Sequence, residues 1–207
     1  HFVTPSDKGW PVRAGDMSPV EFPAKFVANV QFSQSMVPTN MPTGYLRAPM
    51  SNAMAFVFQG FLDEVAEAGG MDLPELMRRT MGAARAVPLY DRGPVFDTGR
   101  ARGVIDKVCA MAGWTGRTKG AEGKGRGFGF YFSHSGYFAE IVDITVTQGT
   151  RIKVEKVYVA GDIGSQIINP MHAEQQVQGS VIDGLAQALA GQKIQQVDGA
   201  VTQKGFG

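Results

Sequence analysis

The chain has 207 residues, 43% of them hydrophobic and 19% charged, with a formal net charge of +1. That is the make-up of one substantial globular domain or two small ones, and so small a charge excludes a strong pull toward nucleic acid or a membrane surface. The single cysteine, Cys109, excludes an internal disulfide and an iron–sulfur cluster held by this chain alone. No apolar run is long enough to span a bilayer. The chain opens on His1-Phe2-Val3 with no Met, basic stretch or apolar stretch of a signal peptide, so it is expected to be a piece cut from a longer protein. Up to about residue 50 the sequence is proline-rich (Pro5, Pro11, Pro19, Pro23, Pro38, Pro42, Pro49), which predicts extended chain, with a short strand over 26–32. The first helix begins near Ser51 or Asn52 as cap. Met54, Phe58, Phe61, Leu62 and Val65 recur at helical spacing, Asp63, Glu64 and Glu67 fall on the other face, and Gly69-Gly70 ends it. Asp72 caps a second helix with Glu75 at the capping-box position and Leu76 and Met77 as its apolar contacts. A linker is predicted over 87–97. A third helix follows, capped by Thr98, with a stripe of Val104, Ile105, Val108 and Met111, closed by Gly113; Cys109 on its apolar side is expected to be a buried thiol.

The stretch 115–127, rich in Gly and Lys, predicts an exposed loop. Residues 128–132 and 137–147 predict strands, with Val142, Ile144 and Val146 on one face. Gln148-Gly149-Thr150 predicts a hairpin loop. In the return strand the parity slips between Ile152/Val154 and Val157/Val159, which predicts a bulge near Glu155-Lys156. Asn169 with Pro170 predicts a capped last helix, whose buried stripe is Val177, Val181, Leu185, Ala188 and Leu189. Gly179 and Gly184 lie inside that helix at a cost on the order of 1 kcal/mol each against Ala, a cost expected where something approaches the backbone closely. A final strand over 193–196 and a turn at Asp198-Gly199 complete the chain. The order predicts an α+β fold, helices packed on a mainly antiparallel sheet, divided into an irregular lead-in over 1–43, a mainly helical part over 44–113 and a strand–hairpin–strand–helix part over 114–207.

Three histidines, His1, His134 and His172, show no ligand spacing, so no protein-ligated metal is expected. His134 is expected to be a loop or packing residue. The glycine-alternating run 123–129 fits neither the Walker nor the dinucleotide pattern, and it enters a strand rather than a helix. Two other segments carry chemistry. Over 43–56, Arg47 precedes a tight turn and a helix start, which places a cationic fork beside helix N–H groups and suits an anionic cofactor group. Over 162–180, a strand end meets a Pro-started helix crowded with amides, and Gln offers both a donor and an acceptor for a pterin or base edge. For each the plainer alternative stands beside it: a surface ion pair for Arg47 and a solvated polar face for the helix.

These segments resemble the xanthine oxidase family of molybdenum hydroxylases, large (molybdopterin-binding) subunit. The resemblance rests on Arg47 and its turn leading into Gln59-Gly60-Phe61-Leu62-Asp63-Glu64-Val65-Ala66. It rests also on the strand–hairpin–strand from Ala139, the Asp162-Ile163-Gly164 turn, Asn169-Pro170 and Gln176-Val177-Gln178-Gly179. It runs from Gly44 to Gly199 and is similar above all to the isoquinoline 1-oxidoreductase beta subunit. It implies a molybdopterin, in bacteria the cytosine dinucleotide form, bound with Mo in the full subunit; a small partner subunit with [2Fe-2S] clusters that takes the electrons; and water-derived hydroxylation of an N-heteroaromatic or aldehyde carbon. Carried over residue by residue, Arg47 matches the arginine whose loop lies against the molybdopterin. Ala48, Pro49 and Met50 match the active-site turn, Ala48 toward the cofactor and Pro49 and Met50 toward the substrate. Gln176 matches the glutamine that contacts the cofactor. The family's substrate-stacking Phe is replaced here by Pro49, which argues against purine-like substrates. The catalytic Glu of the Gly-Glu motif is expected beyond Gly207; Glu140, Glu155 and Glu174 do not match it and are expected to be structural or surface groups, so no residue here is assigned a catalytic role and this stretch alone is expected to be inactive. The alternative is a non-catalytic module with a degenerate site that binds only a cofactor or a partner. The sequence does not separate a periplasmic from a cytoplasmic location.

Overall fold

The structure is a computed structural model that describes residues 17–35, 47–117, 120–189, 195–198 and 200–202. Its centre is an antiparallel meander of β3 (Lys124–Ser133), β4 (Gly136–Thr147) and β5 (Arg151–Asp162), in that spatial order. The β3–β4 turn places His134 and Ser135 at φ 52° and 65°, the paired left-handed conformation whose twist matches that of the flanking strands. Along β4, alternate residues Tyr137, Ala139 and Ile141 point to one face and are fully buried there. The expected bulge is present: Asp143 pairs with Lys156 and Ile144 with Val154, leaving Glu155 as the extra residue.

Helix α3 (Thr98–Ala112) packs on that face. It buries Thr98, Ala101, Val104, Ile105, Val108, Cys109 and Ala112, and Ala139 and Ala160 on the strands keep the sheet surface low enough for the helix to approach. Its predicted stripe holds except for Met111, which is exposed. Its cap is Asp97, not Thr98: the Asp97 carboxylate accepts from Arg100 N at 3.0 Å. Thr98 sits inside the first turn with no exposure, its hydroxyl donating to Ala83 O at 2.8 Å and accepting from Arg85 N at 2.8 Å. Both residues have capping chemistry, so sequence alone did not separate them.

Helix α2 (Leu73–Met81) begins at the expected cap, Asp72 Oδ1 accepting from Glu75 N at 2.8 Å, and sends Leu73, Met77 and Met81 into the same core. Helix α1 (Ser51–Ala68) buries Met54, Phe58, Leu62 and Ala66. Those four are spaced by four residues and form a narrow stripe, so the expected Phe61 and Val65 lie outside it and face solvent. Neither Ser51 nor Asn52 caps α1: the cap position is Met50, with no side-chain hydrogen bond.

Three further expectations are corrected. Residues 26–32 form no strand; Phe26 turns inward onto Phe96 at 5.2 Å between ring centres while Val27 and Val30 stay exposed. The linker over 87–97 contains a small ribbon, β1 (Ala86–Pro88) paired antiparallel with β2 (Val95–Asp97), which places Phe96 in the core. The loop expected to run to residue 127 ends earlier, because β3 starts at Lys124, and Arg126 Nη2 fixes it by donating to Asp143 Oδ2 on the neighbouring strand at 2.8 Å.

Helix α4 (Pro170–Leu189) starts as expected, Asn169 Oδ1 accepting from His172 N at 3.1 Å, yet it buries no residue. Val177, Val181 and Leu185 are half-buried, whereas Ala188 and Leu189 are exposed. An added Cβ at Gly179 or Gly184 would meet nothing within 4 Å, so within the described chain nothing makes the close approach expected there. The C-terminal ribbon is β6 (Gln196–Val197) with β7 (Ala200–Val201); the expected strand over 193–196 and the turn at Gly199 lie partly outside the described residues. Among the described residues no helix is long and apolar enough to cross a membrane.

Candidate functional site

Two segments 129 residues apart in sequence meet at the start of α1. Arg47 Nη2 donates to Gln176 Oε1 at 2.7 Å. About three turns further along α4, Gln187 Oε1 accepts from Asn52 Nδ2 in the first turn of α1 at 2.8 Å. These two side-chain bonds tether α4 to α1. Arg47 makes no ion pair among the described residues, so its contact with a neutral amide leaves the positive charge uncompensated. Ala48 holds a left-handed φ of 51°, a conformation that a residue with a Cβ adopts at a cost. That bend turns the chain from Arg47 into the helix, whose start has no side-chain cap, with Asn52 N donating to Ala48 O at 3.0 Å and Met54 N to Met50 O at 3.1 Å; the positive end of the helix dipole lies there. A guanidinium, a carboxamide and an uncapped helix start together are suited to an anionic ligand that also offers acceptor oxygens or ring nitrogens.

Directly after Ala48, Pro49 and Met50 line a cavity of about 310 Å³. Its apolar wall is built mainly from Phe22, Phe26, Phe58, Phe96, Phe130 and Phe132. The rings brace one another, with Phe26–Phe96 at 5.2 Å and Phe96–Phe132 at 5.0 Å, both edge-on. Its polar wall is a hydrogen-bonded chain. Tyr131 donates its hydroxyl to Glu21 Oε1 and Oε2 at 3.1 and 3.2 Å. Ser51 also bonds Tyr131 and lies 2.8 Å from Ser133 Oγ, which is 2.7 Å from His134 Nδ1. Burial pushes the Glu21 carboxyl above the usual carboxylate range, with the Tyr131 bond pulling the other way. The Tyr131 phenol is pushed well up, by burial first and the Glu21 charge second.

The structure thus gathers Arg47, Ala48, Pro49, Met50 and Gln176 into one neighbourhood. His134 is an exposed hairpin residue, His172 sits in the exposed first turn of α4, and His1 lies outside the described residues. Among the described residues no group of three or more His, Cys, Asp or Glu side chains is placed to hold a metal ion. Cys109 is buried, and desolvation raises its pKa, which makes it unreactive. Glu155 pairs with Lys153 at 2.7 Å, and Glu174 bonds Gln178 within α4. Sequence reasoning missed Glu21 and Tyr131, which are 110 residues apart; neither sits in a motif, and only their meeting across the cavity gives them meaning. It missed as well the role of Asp162, which takes two bonds from Arg100 at 2.9 and 2.7 Å and accepts from Gly164 N at 3.0 Å. That clamp fixes the turn between β5 and α4, and through it where Gln176 starts from.

Curated proteins give no match to the chain. The family model described as the molybdopterin cofactor-binding domain matches residues 74–207. That span holds Gln176, the sheet and α2 to α4, and its 134 residues (207 − 74 + 1) exceed half the chain. The chain therefore belongs to the molybdopterin cofactor-binding domain family and is a molybdenum-cofactor-binding part of an oxidoreductase.

Proposed function

We propose that this chain belongs to the molybdenum-binding subunit of a xanthine oxidase-type hydroxylase of the isoquinoline 1-oxidoreductase kind, acting on an N-heteroaromatic or aldehyde carbon. The observation that carries the reading is the Arg47–Gln176 bond at 2.7 Å, at an uncapped helix start and beside the cavity lined by Pro49 and Met50. The donor set fits the cofactor: Arg47 and the α1 N–H groups suit the phosphate of a molybdopterin, in its cytosine dinucleotide form, and the Gln176 amide suits a pterin edge. When bound, the cofactor supplies two-electron redox chemistry that no side chain here possesses.

The chain's own residues bind and orient. Arg47 offsets the charge of the ligand. Ala48 sets the direction of the turn. Pro49 and Met50 line the cavity, where a planar substrate packs against the phenylalanines. No carboxylate of this chain is assigned the catalytic base. A small [2Fe-2S] subunit is the proposed electron-accepting partner.

The test is the molybdenum and pterin-nucleotide content of the purified complete subunit carrying Arg47→Ala or Gln176→Ala. Each substitution is expected to lower both contents to less than half of wild type with little change in the far-ultraviolet circular dichroism. Unchanged content in both variants would sink the assignment.

A further inference from the structure

The cavity beside Pro49 and Met50 has a feature that cofactor binding does not use. Glu21 is its lone acidic lining residue among those described. The rest of the wall is six phenylalanines and polar side chains without a carboxylate, among them Gln59, the Ser18–Tyr90 pair at 3.2 Å, and His134, whose Nδ1 is 2.7 Å from Ser133 Oγ. We propose that Glu21, oriented by Tyr131, is the specificity-determining group of this cavity, selecting planar aromatic rings that contain a ring nitrogen over all-carbon rings of the same shape. The inference rests on the reading of the cavity as the substrate site.

The geometry supports this in three steps. The cavity, about 310 Å³, lies at the small end of small-molecule sites, roughly 300–1,000 Å³. Phe96 meets Phe26, Phe130 and Phe132 edge-on and stacks on Phe22, so the wall offers a fixed surface for a flat ring. Tyr131 shares one hydroxyl proton between both Glu21 oxygens at 3.1 and 3.2 Å. The carboxyl group is therefore held in place by a single donor while lone pairs remain on both oxygens.

A ring nitrogen completes that arrangement in either protonation state. The carboxylate accepts from a ring N–H or a protonated ring nitrogen. The carboxylic acid, favoured by burial of Glu21, donates to an unprotonated one. A carbon ring does neither: it covers a half-buried acid and removes its water without replacing the hydrogen bond. The loss of a hydrogen bond to a charged group corresponds to a preference on the order of ten- to a hundredfold.

Isoquinoline and naphthalene form the matched pair, the same two fused rings with and without nitrogen. Their binding to the purified complete subunit is measured by calorimetry, without need of turnover. Wild type is expected to bind isoquinoline at least tenfold more tightly. In Glu21→Leu the preference is expected to fall to about one, with naphthalene bound as well as before or better. Glu21→Gln keeps the size and the Tyr131 contact, and is expected to cut the preference at least threefold. Equal binding of the two rings by wild type, or a preference that survives both substitutions, overturns the proposal and leaves the cavity as a nonselective apolar site. Failure of wild type to bind either ring overturns the substrate-site reading, and this inference with it.

Discussion

Helix α3 buries seven of its fifteen residues, while α4, twenty residues long, buries none. Both carry apolar residues at helical spacing. The α3 stripe meets Tyr137, Ala139 and Ile141 on the sheet, so this chain alone satisfies it. The α4 stripe is only half covered, and Ile182 stays 67% exposed, as does Phe56 on α1 at 83%. What holds α4 in place is polar: the Arg47–Gln176 and Asn52–Gln187 bonds and the Asp162 turn that precedes it. The comparison separates two kinds of segment. One is folded by its own core. The other is positioned by a few side-chain bonds, and it is the one that carries Gln176. Binding elements are drawn from the low-stability end of a structure because a ligand must be able to complete them.

The sharpest way to break the comparison is to remove an anchor from each region. Phe96 is 2% exposed and meets Phe26, Phe130, Phe132 and Tyr137. Phe96→Ala is expected to cost about 3–5 kcal/mol in urea unfolding, through the lost transfer energy and the cavity left behind. Ile182→Ala on α4 is expected to stay within about 0.5 kcal/mol, as exposed substitutions do. Similar costs for the two would mean that α4 is part of the cooperative core after all.

A smaller effect is expected from the hydroxyl at the centre of that core. Tyr137 is fully buried, and its oxygen accepts from Asp97 N at 2.8 Å. Tyr137→Phe leaves that N–H without its partner and is expected to cost about 1–2 kcal/mol, read as a lower urea midpoint at unchanged m-value. A cost near zero would show that Asp97 N finds another acceptor.

Much of the core region was legible in the sequence, for a physical reason. Periodicity marks which residues share a face, and it placed Val104, Ile105 and Val108 on α3 and the bulge at Glu155 correctly. It does not say how wide the buried stripe is. Only the packing partner sets that width, so Phe61 and Val65 were placed inside and prove to be outside. The three-residue strands around Phe96 were invisible because a pattern of period two needs more residues than they have. At the candidate site, Arg47 and Gln176 could be named from motif resemblance, whereas Glu21 and Tyr131 could not. Their meaning lies in a contact between segments 110 residues apart, and no local pattern records it.

The clamp at the border of the two regions has a pH signature. Two bonds from Arg100, before any other cause, hold the Asp162 carboxyl at a pKa of about 2, against roughly 3.9 in an unfolded chain. A depressed carboxylate favours the folded state above the unfolded value. Its contribution is therefore complete above about pH 4 and is lost as pH falls toward 2. Both side chains are about a third exposed, so solvent screening limits the contribution to about 1 kcal/mol. Glu21 and Glu140, raised by burial, act with the opposite sign, so the effect is read as the difference between wild type and Asp162→Asn. That difference is expected to shrink between pH 4 and pH 2. A pH-independent difference would mean that the turn, not the charge, accounts for the cost.

The smallest effect on stability bears most directly on function. Gly179 lies one helical turn beyond Gln176 on the same flank of α4, and an added Cβ there would meet nothing within 4 Å. Gly179→Ala should therefore favour the helix by up to about 1 kcal/mol. Because α4 contributes nothing to the buried core, the gain is expected in slower hydrogen exchange of α4 amides rather than in the global midpoint. If the open flank receives the cofactor, the same methyl group occupies that space, and molybdenum loading of the complete subunit falls while α4 protection rises. Protection and loading that rise together, or loading that does not change, would show that the glycine only weakens the helix and that the cofactor contacts Gln176 from another side.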